Sequence, residues 1–247
     1  MTSDNLFDTL VSQLIATHLV KYRHCREVAR ADKQNKGELA MDFSIPSNAH
    51  SVTLLVRRSK AHNDVPAESR SLTDAGISLC EDVQPYLEDV VGSLGARFGV
   101  PHYYCGPSPA MLITCFILFE PKQMTVHPHL TVTASVKHLQ GGRWFAEMQA
   151  AKQSRVQIMR TALKDITLWG GEPFGQESGR LYQFLTEDGN ESFRIAVADE
   201  PAITMALLDK VDDTQLGLAP CVGLLVFRDQ GGIIIGAQKL VPSSAQR

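Results

Sequence analysis

Ser51-Val52-Thr53-Leu54-Leu55-Val56-Arg57-Arg58-Ser59 is the stretch on which the fold reading turns. Its first six residues, Ser51–Val56, form a short apolar, β-branched run without apolar/polar alternation. Such a run suits a strand buried on both faces, as strands of a parallel sheet are. It ends abruptly in two arginines. After a polar loop comes Leu72-Thr73, where Thr73 is a natural N-cap for the helical pattern of residues 74–98. Pro101–Cys105 reads as a second short strand and Pro109–Phe119 as an apolar helix. Phe193–Ala198 repeats the buried-strand signature, and a helix, Pro201–Leu208, follows it. Strands alternating with helices predict a three-layer α/β/α fold over residues 51–240, with a mainly parallel central sheet. Arg57 and Arg58 then stand just past the end of a central strand.

The rest of that region is less regular. Thr125–Val126 and Leu130–Thr133 are a strand candidate. Residues 137–177 are Gly-rich and irregular, apart from a helical stretch around 146–165, and Ser178–Leu185 reads as a helix. Val222–Phe227 and Ile233–Leu240 read as paired strands, joined by the turn Asp229-Gln230-Gly231-Gly232.

Upstream lies a helical extension, residues 1–36. Leu6, Phe7, Leu10, Val11, Leu14 and Ile15 recur at three- and four-residue steps, which makes one apolar stripe. Arg23, Arg26, Arg30 and Lys33 continue the period as a basic face, within about 80° of one another. The stretch Lys21–Lys36 carries six basic residues and two acidic ones. Residues 37–50, with Gly37, Pro46 and Asn48, read as a connector, and residues 241–247 as a flexible tail.

Composition narrows the class. The 247 residues are 44% apolar and 21% charged, which is ordinary for a globular chain and excludes collagen, coiled coil or disorder as descriptions of the whole. Net charge is −3, so no global basic field recruits nucleic acid. The longest apolar candidate, Met111–Phe119, is about half the roughly 18 residues a membrane span needs, and no membrane association is expected. Met1-Thr2-Ser3-Asp4-Asn5 lacks the basic start of a secretory signal and the arginines of a transit peptide. Cys25, Cys80, Cys105, Cys115 and Cys221 are odd in number and form no C-x-x-C pair. Reduced thiols in a cytoplasmic or nuclear protein are the simplest reading.

Common catalytic signatures are absent. There is no P-loop, no G-x-G-x-x-G after a strand, no G-x-S-x-G elbow and no H-E-x-x-H. His127-Pro128-His129 is an H-x-H pair with only His138 close in sequence, so a surface loop is the reading preferred over a metal site. Glu172 and Glu177 flank Gly175 and read as a solvated loop rather than an acid–base pair. No metal and no cofactor is expected.

Three stretches in order resemble the histidine phosphatase superfamily, the phosphoglycerate mutase-like fold. Leu54-Leu55-Val56-Arg57-Arg58-Ser59, followed by Leu72-Thr73-Asp74-Ala75-Gly76, is similar to the family's L-V-R-H-G and L-T-x-x-G. Tyr104-Cys105-Gly106-Pro107-Ser108-Pro109-Ala110-Met111-Leu112-Ile113-Thr114-Cys115 is similar to C-S-P-x-x-R-A-x-x-T-A. Ile195-Ala196-Val197-Ala198-Asp199-Glu200-Pro201-Ala202-Ile203 takes the place of a strand ending in V-S-H-G before a helix. Gly175-Gln176-Glu177-Ser178 resembles the family's G-E-S segment. The resemblance covers roughly residues 51–240.

The resemblance implies a pocket that this chain does not fill. In the family, the histidine of the first motif is the nucleophile, and covalent catalysis depends on its neutral lone pair. Arg58 stands there, and a guanidinium stays protonated. The family's second arginine aligns with Ala110 and its second histidine with Asp199. Of the four pocket residues only Arg57 remains. Ser59 and Glu200 replace the two motif glycines, and Trp144-Phe145-Ala146 lacks the usual acidic proton donor. The degenerate pocket is thus Arg57, Arg58, Ser59, Ala110, Asp199 and Glu200, with no catalytic residue among them. Arg57 and Arg58 are expected to face Asp199 and Glu200 and neutralise them, Asp199 lying within salt-bridge distance of one arginine.

The functional expectation is a pseudoenzyme: a histidine-phosphatase-like protein serving as an interaction scaffold or regulatory subunit, with protein partners or as a homodimer. The N-terminal apolar stripe is its candidate contact. One alternative is a phosphatase or mutase with a displaced site around His50, His62 or His102. Another is a module binding nucleic acid or a phosphorylated ligand through the basic N-terminal face.

Overall fold

The computed structural model describes residues 43–62, 70–131, 147–148, 150–164, 174–187 and 191–240. The chain divides into two units, residues 1–42 and 43–247, and the described residues all belong to the second. The N-terminal helix with its apolar stripe and basic face, and the C-terminal tail, lie outside the described residues.

β1 (Ser51–Arg57) is buried from Ser51 through Val56. Val52, Leu54, Leu55 and Val56 are fully buried, and each such side chain stabilises the fold by about 1.5–3 kcal/mol before entropy. The sheet also contains β2 (His102–Cys105), β3 (Thr125–Val126), β4 (Phe193–Ala198), β5 (Gly223–Arg228) and β6 (Ile234–Leu240). Their order is β3-β2-β4-β1-β5-β6. β1 pairs with β4 in parallel, from Val52↔Phe193 to Arg57↔Ala198. It pairs with β5 antiparallel. β2 is parallel to β3 and β4, and β6 is antiparallel to β5. The sheet is therefore mainly parallel, with β5 reversed.

Helices cover both faces. α1 (Asp74–Phe98) and α2 (Pro109–Phe119) pack on each other, as do α4 (Phe174–Thr186) and α5 (Glu200–Leu207). α3 (Arg155–Lys164), α4 and α5 share a core with Leu55, Ala196, Ala198, Leu224 and Val226 of the sheet. The period-two alternation sends Leu54, Ile195, Val197 and Leu225, equally buried, to the other face. Thr73 caps α1, its hydroxyl accepting from Gly76 N at 3.0 Å. A Cβ on Gly76 would stand 2.1 Å from the Lys60 carbonyl oxygen, so the start of α1 can lie against the loop after β1 only with glycine there. Ser108 caps α2 in the same way, accepting from Met111 N at 3.4 Å.

Several details depart from the sequence reading. Leu130 is not in a strand: Pro128–Leu130 is a 3-10 turn, the strand among the described residues is Thr125–Val126, and residues 132–133 of the candidate lie outside them. Pro128 removes a ladder donor and presets the turn, while Leu130 is fully buried. Arg57 is the last residue of β1 rather than the first beyond it. The helix read as Ser178–Leu185 starts at Phe174, inside the stretch read as irregular. Residues 43–50 carry no helix or strand, yet they dock: Arg97 of α1 donates to the carbonyls of Pro46 and Ser47 at 3.0 and 3.2 Å. His50 N donates to Arg228 O at 2.8 Å.

Candidate functional site

The parallel pairing of β1 with β4 brings their carboxyl ends side by side. The chain leaves β1 at Arg57 and β4 at Ala198, and Arg58 N still donates to Ala198 O at 3.0 Å. Arg58 and Asp199 therefore emerge into one crevice at the sheet's carboxyl edge, where α/β proteins place their sites. Pro128–Leu130 closes one side, since Asp199 N donates to Leu130 O at 3.1 Å.

Arg58 Nε donates to Asp199 Oδ1 at 2.6 Å. The side chains are 23% and 12% exposed, so the pair is sheltered without being sealed. Thr131 Oγ1 donates to Asp199 Oδ2 at 2.9 Å, so both carboxylate oxygens are engaged. Asp199 precedes α5 without bonding the helix's own amides. Arg58 and Thr131 take the carboxylate instead.

The other pocket positions face inward. Arg57 Nη1 donates to the Leu218 carbonyl. Ser59 is buried: its hydroxyl donates to Gly76 O at 2.7 Å and its amide to Thr114 Oγ1 at 3.1 Å. Thr114 Oγ1 in turn donates to Ala110 O at 2.7 Å. Ala110 is 1% exposed in the first turn of α2. Glu200, buried in the first turn of α5, accepts from Thr204 Oγ1 at 2.9 Å. A carboxylate suits a helix N-terminus, where the dipole is positive.

The chemistry open to this arrangement is limited. Arg58 has no nucleophilic lone pair, and Asp199 accepts the hydrogen bonds an anion would otherwise take. His50 and His62 are exposed, and His102 opens β2 at the opposite end of the sheet, 3.3 Å from Glu191. The rings of His127 and His129 are 4.8 Å apart, and His127 Nδ1 accepts from His129 N at 3.3 Å. Among the described residues no three side chains of metal-ligating type come together. Glu172, His138 and Trp144-Phe145-Ala146 lie outside the described residues, and Glu177 is described only as part of the α4 backbone.

Sequence reasoning passed over Thr131, Leu218 and Cys221. Thr131 follows a segment without period, and Leu218 contributes only a carbonyl, which no residue type announces. Cys221 precedes β5 and sits 3.6 Å, sulfur to sulfur, from Cys80 of α1.

No family model and no curated protein matches this chain. Solved structures do, at low identity. The protein histidine phosphatase SixA, complexed with tungstate, is 13% identical and covers 77% of this chain and 94% of its own, with a TM-score of 0.45. A mutant phosphoserine phosphatase from Entamoeba histolytica, in complex with phosphoserine, is 13% identical and covers 79% and 98%, with a TM-score of 0.49. Mycobacterial hydrolase 2 is 16% identical and covers 78% and 94%, with a TM-score of 0.48. The likeness is one of fold.

Proposed function

We propose that this chain is a catalytically inactive protein of histidine-phosphatase-like fold, acting as an interaction scaffold or regulatory subunit. The observation that carries the reading is the 2.6 Å ion pair of Arg58 with Asp199. In the resembled family these two positions are the histidines of phosphoryl transfer. A dianionic phosphate entering here meets a carboxylate. Like charges about 4 Å apart cost about 4 kcal/mol at an effective dielectric of 20, roughly a thousandfold in affinity. Electrostatic preorganisation is lost along with the nucleophile.

Function then passes to contacts with other proteins. The apolar stripe Leu6, Phe7, Leu10, Val11, Leu14 and Ile15 is the proposed contact, with a partner subunit or a second copy. The cytoplasm is the proposed compartment. Buried free thiols support it, and no described helix is long and apolar enough to cross a membrane.

The test is turnover of p-nitrophenyl phosphate and of phosphoglycerate by the purified chain. We expect none above a boiled control, and none from Arg58→His alone, because Ala110 and Asp199 leave the phosphate unclamped. Clear turnover by the native chain refutes the reading. Deleting residues 1–36 then tests the scaffold: a folded chain that loses its partner or its dimer supports it, and one that keeps both overturns it.

A further inference from the structure

Beneath the crevice, two thiols face each other across two elements. Cys80 lies on α1, one turn beyond Gly76, and Cys221 in the turn before β5. Both are fully buried and their sulfurs are 3.6 Å apart. That is contact distance for thiols, against the roughly 2.05 Å of a disulfide bond. Cys221 holds φ of 59°, a left-handed conformation unusual for a residue with a Cβ. It is pinned there by its amide, which donates to Arg57 O at 3.0 Å.

The two sulfurs share one hydrogen bond and shift in opposite directions: that bond, with burial, holds the Cys80 thiol far above the ordinary range. Burial pushes the Cys105 thiol up to about 12 and raises that of Cys115 as well. Cys221 is shifted the other way. The hydrogen bond it shares with Cys80 lowers its pKa first, and the charges of Arg57 and Lys60 add to that against burial. Thiolate is the reactive form toward oxidants and disulfides.

We propose that Cys80 and Cys221 are a redox-active dithiol, which a hydroperoxide converts to an intramolecular disulfide joining α1 to the turn before β5. The Cys221 thiolate attacks one peroxide oxygen. The O–O bond breaks, and the leaving oxygen takes up a proton and departs as water, or as the alcohol if the peroxide is organic. Cys221 is then a sulfenic acid. The Cys80 sulfur attacks it, the S–S bond forms, the S–O bond breaks and a water leaves with the thiol's proton. Two thiols lose two electrons and two protons, and one peroxide is reduced. Because both sulfurs are buried, the oxidant enters on local opening, and oxidation is slow compared with that of an exposed thiol. The bond forms directly behind Arg57, Arg58 and Ser59, so it locks the wall of the crevice to α1.

The experiment uses the full chain. Native protein is treated with hydrogen peroxide, quenched, denatured in N-ethylmaleimide and digested, and the peptides are weighed. We expect a peptide pair joined through Cys80 and Cys221, lost on treatment with dithiothreitol, with Cys105 and Cys115 recovered as alkylated thiols. The oxidised protein should melt about 5–10 °C higher, and Cys80→Ser should abolish the rise. Recovery of Cys80 and Cys221 as alkylated thiols, their linkage to other cysteines, or sulfinic acid at Cys221 without the cross-link overturns the proposal. The peptide assignment needs no variant, so a misfolded Cys80→Ser does not blunt it.

Discussion

At the carboxyl ends of β1 and β4 a half-sheltered guanidinium meets a carboxylate, Arg58 with Asp199. At the amino end of β4, Arg194 is held far more fully. Its side chain is 5% exposed. It donates to Glu191 Oε2 at 2.9 Å, to Phe184 O at 2.7 Å and to Glu187 O at 3.0 Å. Tyr104 Oη donates to Glu191 at 2.7 Å, and Arg228 Nη1 to Glu187 O at 3.1 Å. The ring of Phe184 lies 5.5 Å from the Arg194 guanidinium. The Arg194 Nη donors and Arg228 Nη1 are aimed at carbonyls at the end of α4, where a cation is favoured by the helix dipole. Charge at the amino end therefore ties a helix to the sheet. Charge at the carboxyl end ties one loop to another and is less completely covered.

The sharpest break in this comparison is Arg194→Ala. It takes the buried guanidinium from Glu191 and from the Phe184 and Glu187 carbonyls, and should cost about 3–5 kcal/mol, read as a fall in the urea midpoint. Asp199→Ala should cost less, about 1–3 kcal/mol, because the pair it breaks is partly solvated. The two ends differ in kind if Asp199→Asn also raises the affinity for inorganic phosphate, by up to about a thousandfold in calorimetry. Equal losses from both alanine variants, with no gain in phosphate binding, would erase the distinction.

Smaller changes sharpen the amino end. Burial, with the Glu191 hydrogen bond, pushes the Tyr104 hydroxyl up to about 12. Tyr104→Phe removes one donor to a carboxylate and should cost about 1 kcal/mol. His127 packs edge-on to Tyr104 and tilted against Phe184. Burial first, then the charge of His129, lowers its pKa below the ordinary 6.5. The unfolded chain therefore binds the proton more readily, so this contribution is complete above pH 6.5 and is lost as pH falls toward the folded value. Solvent screening at this partly exposed ring keeps the effect small. Melting temperatures of the native chain and His127→Gln between pH 8 and pH 5 should diverge slightly at the acid end.

The buried strands were legible because their signal is local. Ser51–Val56 and Phe193–Ala198 are apolar apart from Ser51, Thr53 and Arg194, and every residue of both is buried. Thr73 announced its helix through capping chemistry that needs only the next three residues, and Ser108, not singled out in the sequence, caps α2 in the same way. Leu130 misled because an apolar residue beside threonines reads as strand, while Pro128 two positions earlier forces a turn. The reversal of β5 was equally silent, since burial looks the same in either direction.

Residue types alone put an arginine at position 58 and an aspartate at 199, side chains without an imidazole, whatever the fold does with them. Which partners these residues take was decided only in three dimensions. Arg58 and Asp199 are 141 positions apart, and so are Cys80 and Cys221. No local propensity couples residues at that separation. The parallel register Arg57↔Ala198 brings the first pair together, and the seating of the start of α1 against the loop after β1 brings the second. Thr131 and the Leu218 carbonyl joined the site for the same reason, because sheet pairing and helix packing, rather than side-chain chemistry, choose which loops share an edge.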